Sequence, residues 1–185
     1  SNMVGFGGDG TRQAFAGGLD ETNPRIRQLN VSPNNQNEIF IGQENFISID
    51  DNVGKPRLTL AEDPLHIERD SDNANGKAED YIGPGLSFAK AALNNTSREI
   101  ILVPAAWAGS AFCDEDIGGP PGQWNAQIST DPALGNTWLF DRAITRANLA
   151  LQESGGILRG ILWHQGESDA NDACARSYAA NIKQL

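Results

Sequence analysis

Two apolar stretches of strand length, Ile100-Ile101-Leu102-Val103 and Ile157 to Trp163, constrain the fold of this 185-residue chain more than any other feature. Four aliphatic side chains without polar alternation fit a strand covered on both faces, as in a parallel sheet between helices. Helical patterns surround them. Gly83-Pro84-Gly85 opens a stretch with Leu86, Ala89 and Leu93 at i, i+3 and i+7, and Asn94-Asn95 closes it. Asp141 to Glu153 carries Ile144, Ala147 and Leu151 at helical spacing, and Gly155-Gly156 supplies the stop. Ala173 to Leu185 reads as a further helix. The order helix, buried strand, long loop, helix, buried strand, helix predicts an α/β fold. The sheet is expected to be mostly parallel with helices on both faces, in a single domain over 1–185.

The remaining segments are less regular. Ser1 to Gly18 is rich in glycine and reads as a loop. Asn23 to Leu29 is compact and basic. Glu38-Ile39-Phe40-Ile41 and Phe46-Ile47-Ser48-Ile49, separated by Gly42, predict a hairpin. Asp70 to Asp80 looks like a calcium loop, but Ala74 stands where the third oxygen ligand belongs, so a solvated loop is expected. Cys113 to Asn136 is a long Gly-, Pro- and Asp-rich loop, and a loop of that length inside a domain tends to be functional.

Charge narrows the partners. Fourteen basic against 24 acidic residues leave −10, and the sequence pI is about 4.5. Nucleic acid and anionic membrane surfaces both need a basic face, so neither is expected as a partner. No apolar run reaches the roughly 20 residues of a spanning helix. Cys113 and Cys174 form no CxxC pair, which excludes a cysteine metal cluster and leaves one disulfide as the expectation. A disulfide in an acidic, Asn-rich chain fits a secreted or periplasmic setting, and two unpaired thiols in a cytoplasmic enzyme are the alternative.

In a parallel sheet, chemistry gathers beyond the carboxyl ends of the strands. Two places qualify: Ala105 to Ser110 and His164 to Asp169. The second lies in Trp163-His164-Gln165-Gly166-Glu167-Ser168-Asp169, an imidazole, an amide, a glycine and two carboxylates just past a strand. Its bland reading is a polar loop in which Ser168 or Asp169 caps the next helix. A metal site from His164, Glu167, Asp169 and Asp172 is disfavoured, since no second histidine lies nearby. Gly109, in Ala108-Gly109-Ser110, fits either a tight turn or a backbone N–H aimed at an oxyanion. Ser1 heads Ser1-Asn2-Met3-Val4-Gly5. It fits an end of no consequence, a nucleophile using its own α-amine, or the tail of a Gly-Gln-Ser-Asn-Met-type motif.

Taken with Pro24-Arg25-Ile26, Asp63-Pro64-Leu65-His66, Gly83 to Ala89, Leu102-Val103-Pro104 and Gly156 to Ala170, that opening resembles the SGNH hydrolases. Within them it resembles the sialate O-acetylesterase and acetylxylan esterase group, carbohydrate esterase family six. The resemblance runs over nearly the whole chain and implies a three-layer α/β/α, flavodoxin-like fold. It also implies that the 185 residues lack the family's first strand and its C-terminal Asp-x-x-His segment. An incomplete sheet exposes unpaired backbone, so a second copy (a homo-oligomer) or a completing segment is expected as partner.

By position, the resemblance implies that Ser1 is the nucleophile on an acetyl ester of a carbohydrate. Ser1 N–H, Gly109 N–H and the Gln165 side chain would form the oxyanion hole, Asn2 would hold the nucleophile turn, and Glu167 would support the base. No cofactor or metal is implied. The family's base histidine has no match here: His164 belongs to the strand-end motif and His66 to a Pro-Leu-His segment. A non-catalytic carbohydrate-binding or interaction module on the same fold is therefore the alternative. Trp107, Trp124 and Trp138 offer faces for sugar stacking, or else pack internally.

Overall fold

A computed structural model describes residues 18, 21–29, 58–63, 65, 83–106, 110–112, 124, 139–172 and 174–185. Strands β1 (Ile26–Leu29), β2 (Leu58–Leu60) and β3 (Ile100–Leu102) form a mixed sheet in the order β2-β1-β3. The β1–β2 pair is antiparallel, with Gln28 opposite Thr59. The β1–β3 pair is parallel, with Arg27 opposite Ile101. The expected α/β character holds; the described sheet is mixed where a mostly parallel one was predicted.

The sequence gives no strand signal at β1 because of Gln28, a polar residue in the centre of the sheet that is nevertheless buried. Its amide is paired at both ends. Nε2 donates to Leu65 O at 2.9 Å and Oε1 accepts from Glu62 N–H at 3.0 Å. The basic residues around it are also structural. Arg25 Nη2 donates to Thr96 O (2.5 Å) and Arg98 O (3.0 Å), tying the turn before β3 to the start of β1. Arg27 Nη2 donates to Leu58 O.

Alternation along the strands divides the core between two helices. Helix α1 (Pro84–Leu93) carries Leu86 and Ala89 into a cluster with Ile26 and Ala61, flanked by Ile100 and Leu102. Helix α2 (Leu139–Ser154) carries Ala150 into a second cluster with Leu29 and Leu58, flanked by Ile101 and Val103. Residues 100 and 102 thus face one helix and 101 and 103 the other, as a two-residue period requires. The unbroken apolar run is explained by that double cover, although β3 itself is only partly buried.

Both helix predictions hold, and α2 starts earlier than Asp141. Proline occupies the first turn of α1, where a missing N–H costs nothing, and Gly83 N–H donates to Asp63 Oδ1 at 3.2 Å. A Cβ on Gly85 would sit 2.5 Å from Leu65 Cδ1, so the helix approaches that side chain through a glycine. At the end of α2, Gly155 takes φ +63° and its N–H donates to Leu151 O.

Arg146 of α2 is buried and its Nη1 donates to Pro104 O, 2.9 Å away, fixing the chain just beyond β3. Arg146→Met keeps much of the volume and removes the donor. It should lower the free energy of unfolding by about 1.5–3 kcal/mol, read by urea denaturation, because a charge-assisted bond to a buried carbonyl is lost.

Ile157 to Trp163 does not form the predicted buried strand. The segment is irregular, and Ile157, Leu158, Ile161 (72%) and Leu162 are exposed. Among the described residues, β3 pairs only with β1 and no strand pairs with 157–163. An apolar run becomes a buried strand only where a neighbour takes its backbone groups and a layer covers its side chains.

Helix α3 (Ala175–Asn181) and a 3₁₀ turn over Ile182–Gln184 replace the longer helix predicted from Ala173. The predicted hairpin over Glu38 to Asp50, the Asp70 to Asp80 loop and His66 lie outside the described residues. No described helix is long and apolar enough to cross a membrane.

Candidate active site

Beyond β3 the chain reaches Ser110-Ala111-Phe112. Beyond the irregular apolar segment it reaches His164 to Asp169. The structure brings these two segments together, and the joint is a buried carboxylate.

Asp169 is 2% exposed. Its Oδ1 and Oδ2 both accept from the Phe112 backbone N–H, each at 3.1 Å. Its Oδ2 also accepts from Gln165 Nε2 at 2.5 Å. The same Nε2 donates to Ser110 O at 3.0 Å. One side-chain pair therefore clamps the 110–112 turn from the 165–169 side. Asp169 closes a short 3₁₀ turn, Glu167–Asp169, and its N–H donates to Gly166 O. Gly166 adopts φ +151°, a conformation that side chains rarely take, and this accounts for the glycine in the motif.

An aromatic cluster supports the clamp. Phe112, Trp124 and Leu139 are buried together, with Trp163 and Tyr178 packed against them. The Phe112 ring lies 5.3 Å from that of Trp163 and 5.5 Å from that of Tyr178, the latter edge-on. Trp124 meets Trp163 edge-on at 5.1 Å. The polar ends are satisfied within the cluster. Trp124 Nε1 donates to Ser110 Oγ at 2.7 Å, Trp163 Nε1 donates to Tyr178 OH at 3.3 Å, and that hydroxyl donates to Gln165 O. Trp124 is 5% exposed and packs internally, so its ring face is not offered for sugar stacking.

The predicted site residues divide by position. Gln165 sits at the centre of the clamp, with both amide hydrogens directed at protein acceptors and its Oε1 buried without a partner. Service as an oxyanion donor requires Gln165 to release one of those bonds. Glu167 lies on the open side, its side chain 63% exposed, with Oε1 3.8 Å from Nε2 of the half-exposed His164. Ser1, Asn2 and Gly109 lie outside the described residues, as do Trp107 and Trp138. Cys174 is buried and disulfide-bonded; Cys113, the other cysteine of the sequence, also lies outside them.

Neither Ser168 nor Asp169 caps the next helix. Asn171 Oδ1 accepts the Cys174 N–H at 3.0 Å at the start of α3. Among the described residues no group of three His, Cys, Asp or Glu could hold a metal ion. The residue that sequence reasoning undervalued is Asp169. Its i, i+4 spacing from Gln165 was a readable signal, whereas its bond to Phe112 spans 57 positions and had none.

A family model for carbohydrate esterase, sialic acid-specific acetylesterase, matches residues 43–185. That range includes Gly109, Gln165, Glu167 and Asp169 and leaves out Ser1 and Asn2. A probable carbohydrate esterase of Arabidopsis thaliana is 30% identical over 133 residues, which is 70% of this chain. The chain covers 42% of that relative's length. With 143 of its residues matched, the chain belongs to the carbohydrate esterase family of sialic acid-specific acetylesterases.

Proposed function

We propose that this chain is part of a serine esterase that removes O-acetyl groups from carbohydrates, of the sialic acid or xylan type. The family match across the two clamped segments, 110–112 and 165–169, is the observation that carries this reading. Ser1 Oγ would attack the acetyl carbonyl as its proton passes to a base, giving a tetrahedral oxyanion. Ser1 N–H and Gly109 N–H would receive that charge, with Gln165 joining them if its amide releases an internal bond. Collapse would expel the sugar hydroxyl and leave an acetyl-enzyme, which water would then hydrolyse.

The base is a histidine. In the resemblance it belongs to a C-terminal Asp-x-x-His block; the one such spacing in the 185 residues, Asp63 to His66, falls in an earlier segment of the resemblance and is not that block. A second reading makes His164 the base, favoured by the 3.8 Å approach of Glu167 to its ring.

Both readings give Glu167 the part of orienting and supporting an imidazolium. Glu167→Gln keeps the shape and removes the charge. In the full-length protein carrying this sequence, kcat on a chromogenic acetate should fall by roughly 10²- to 10⁴-fold, the scale seen when such a carboxylate is neutralised. The fold should be retained, since the side chain is exposed. Full activity would remove Glu167 from the mechanism, and absence of acetate release by the unaltered protein would overturn the esterase reading.

A further inference from the structure

The buried carboxylate of Asp169 has no part in the reaction scheme above, yet it makes the central contacts of the site. We propose that Asp169 is the positioning residue of this site: it fixes the direction of the Gln165 amide and holds that amide against the turn that follows Gly109. The proposal rests on the esterase reading for its catalytic consequence and on geometry alone for the contact.

The donor and acceptor count allows only one arrangement. A carboxylate accepts and cannot donate when ionised, and the Ser110 carbonyl is likewise an acceptor. Gln165 lies between these two acceptors, so its nitrogen end must face them. The observed contacts, 2.5 Å to Asp169 Oδ2 and 3.0 Å to Ser110 O, are of that kind. Turning the amide over would set Oε1 against two oxygens and lose both bonds. Asp169 therefore keeps an N–H donor at the carbonyl of residue 110, immediately after the glycine proposed as an oxyanion donor. Its two contacts to Phe112 N–H hold the same turn two residues further along. One carboxylate thus sets both the amide and the backbone that the amide adjoins.

Asp169→Asn isolates this function because it preserves shape and replaces one acceptor by a donor. The remaining carbonyl oxygen of the substituted side chain can still take the Phe112 N–H, but the new amide nitrogen then confronts Gln165 Nε2. The experiment combines kinetics on a chromogenic acetate, thermal melting, and NMR of the Gln165 side-chain amide, assigned by its loss in Gln165→Ala, all on the full-length protein carrying this sequence. Expected are a tenfold to hundredfold lower kcat for Asp169→Asn, KM within threefold, and loss of the slow exchange of the Gln165 amide protons. Asp169→Asn and Gln165→Ala should be non-additive in kcat, the double variant falling no further than the worse single one.

An Asp169→Asn protein with unaltered kcat, or with additive losses, would overturn the proposal. So would a Gln165 amide that exchanges freely in the unaltered protein. If Asp169→Asn does not fold, free exchange in the unaltered protein still overturns the proposal, and protected exchange upholds its contact. An unaltered protein without esterase activity but with a protected Gln165 amide would sink the esterase reading and uphold the contact.

Discussion

Ser1→Ala is expected to lower kcat on a chromogenic acetate by about 10⁴- to 10⁶-fold in the full-length protein carrying this sequence, with KM changed only a few-fold. A nucleophile enters no ground-state contact that KM would report strongly, but every turnover passes through its bond to the acyl carbon. Removing it leaves water as the attacking group and leaves the oxyanion donors in place, so residual catalysis persists. At about 1.36 kcal/mol per decade, the loss corresponds to roughly 5–8 kcal/mol of transition-state stabilisation. The size of the effect separates the two functional classes. A carbohydrate-binding module would bind acetylated oligosaccharides equally well before and after the substitution and release no acetate in either form. A rate unchanged by Ser1→Ala in an active protein would dismiss Ser1 as nucleophile and leave the family assignment, which rests on residues 43–185, untouched.

The contrast between β1 and the 157–163 segment shows which physical facts a sequence carries. Helices α1 and α2 were legible because a proline at the start, glycines at the stop and apolar residues at helical spacing all act within a few residues of one another. Strand β1 was not, since Gln28 is buried at the sheet centre and pairs with the backbone at Leu65 and Glu62, more than thirty positions away. Ile157 to Trp163 shows the converse. Its apolar character is local and readable, but burial depends on what packs against it, and the described strands leave its aliphatic side chains exposed.

The candidate site divides in the same way. The motif from His164 to Asp169 stood out as a dense group of polar side chains around a glycine, whereas the positive φ that Gly166 adopts was not read from it. That Asp169 rather than Glu167 is the buried carboxylate follows only from the contact to Phe112.

That contact makes Phe112 the residue on which stability and site geometry most directly meet. Phe112→Ala is expected to cost about 3–5 kcal/mol in the free energy of unfolding, the range for a fully buried aromatic side chain cut back to a methyl group. Phe112 is 1% exposed and its ring touches both Trp163 and Tyr178, so few directions remain from which the cluster can close the cavity. The backbone N–H that Asp169 accepts survives the substitution, so the clamp keeps its chemistry and loses its support. Phe112→Leu removes less volume and should cost less than half as much. Chemical denaturation of the two variants gives both values. Under strongly native conditions, Phe112→Leu should retain most of its kcat, because the Asp169 and Gln165 contacts need the position of the 110–112 backbone rather than the ring itself. A Phe112→Ala protein as stable as its parent would mean that the aromatic cluster is not packed as described, and the support assigned to the site would fall with it.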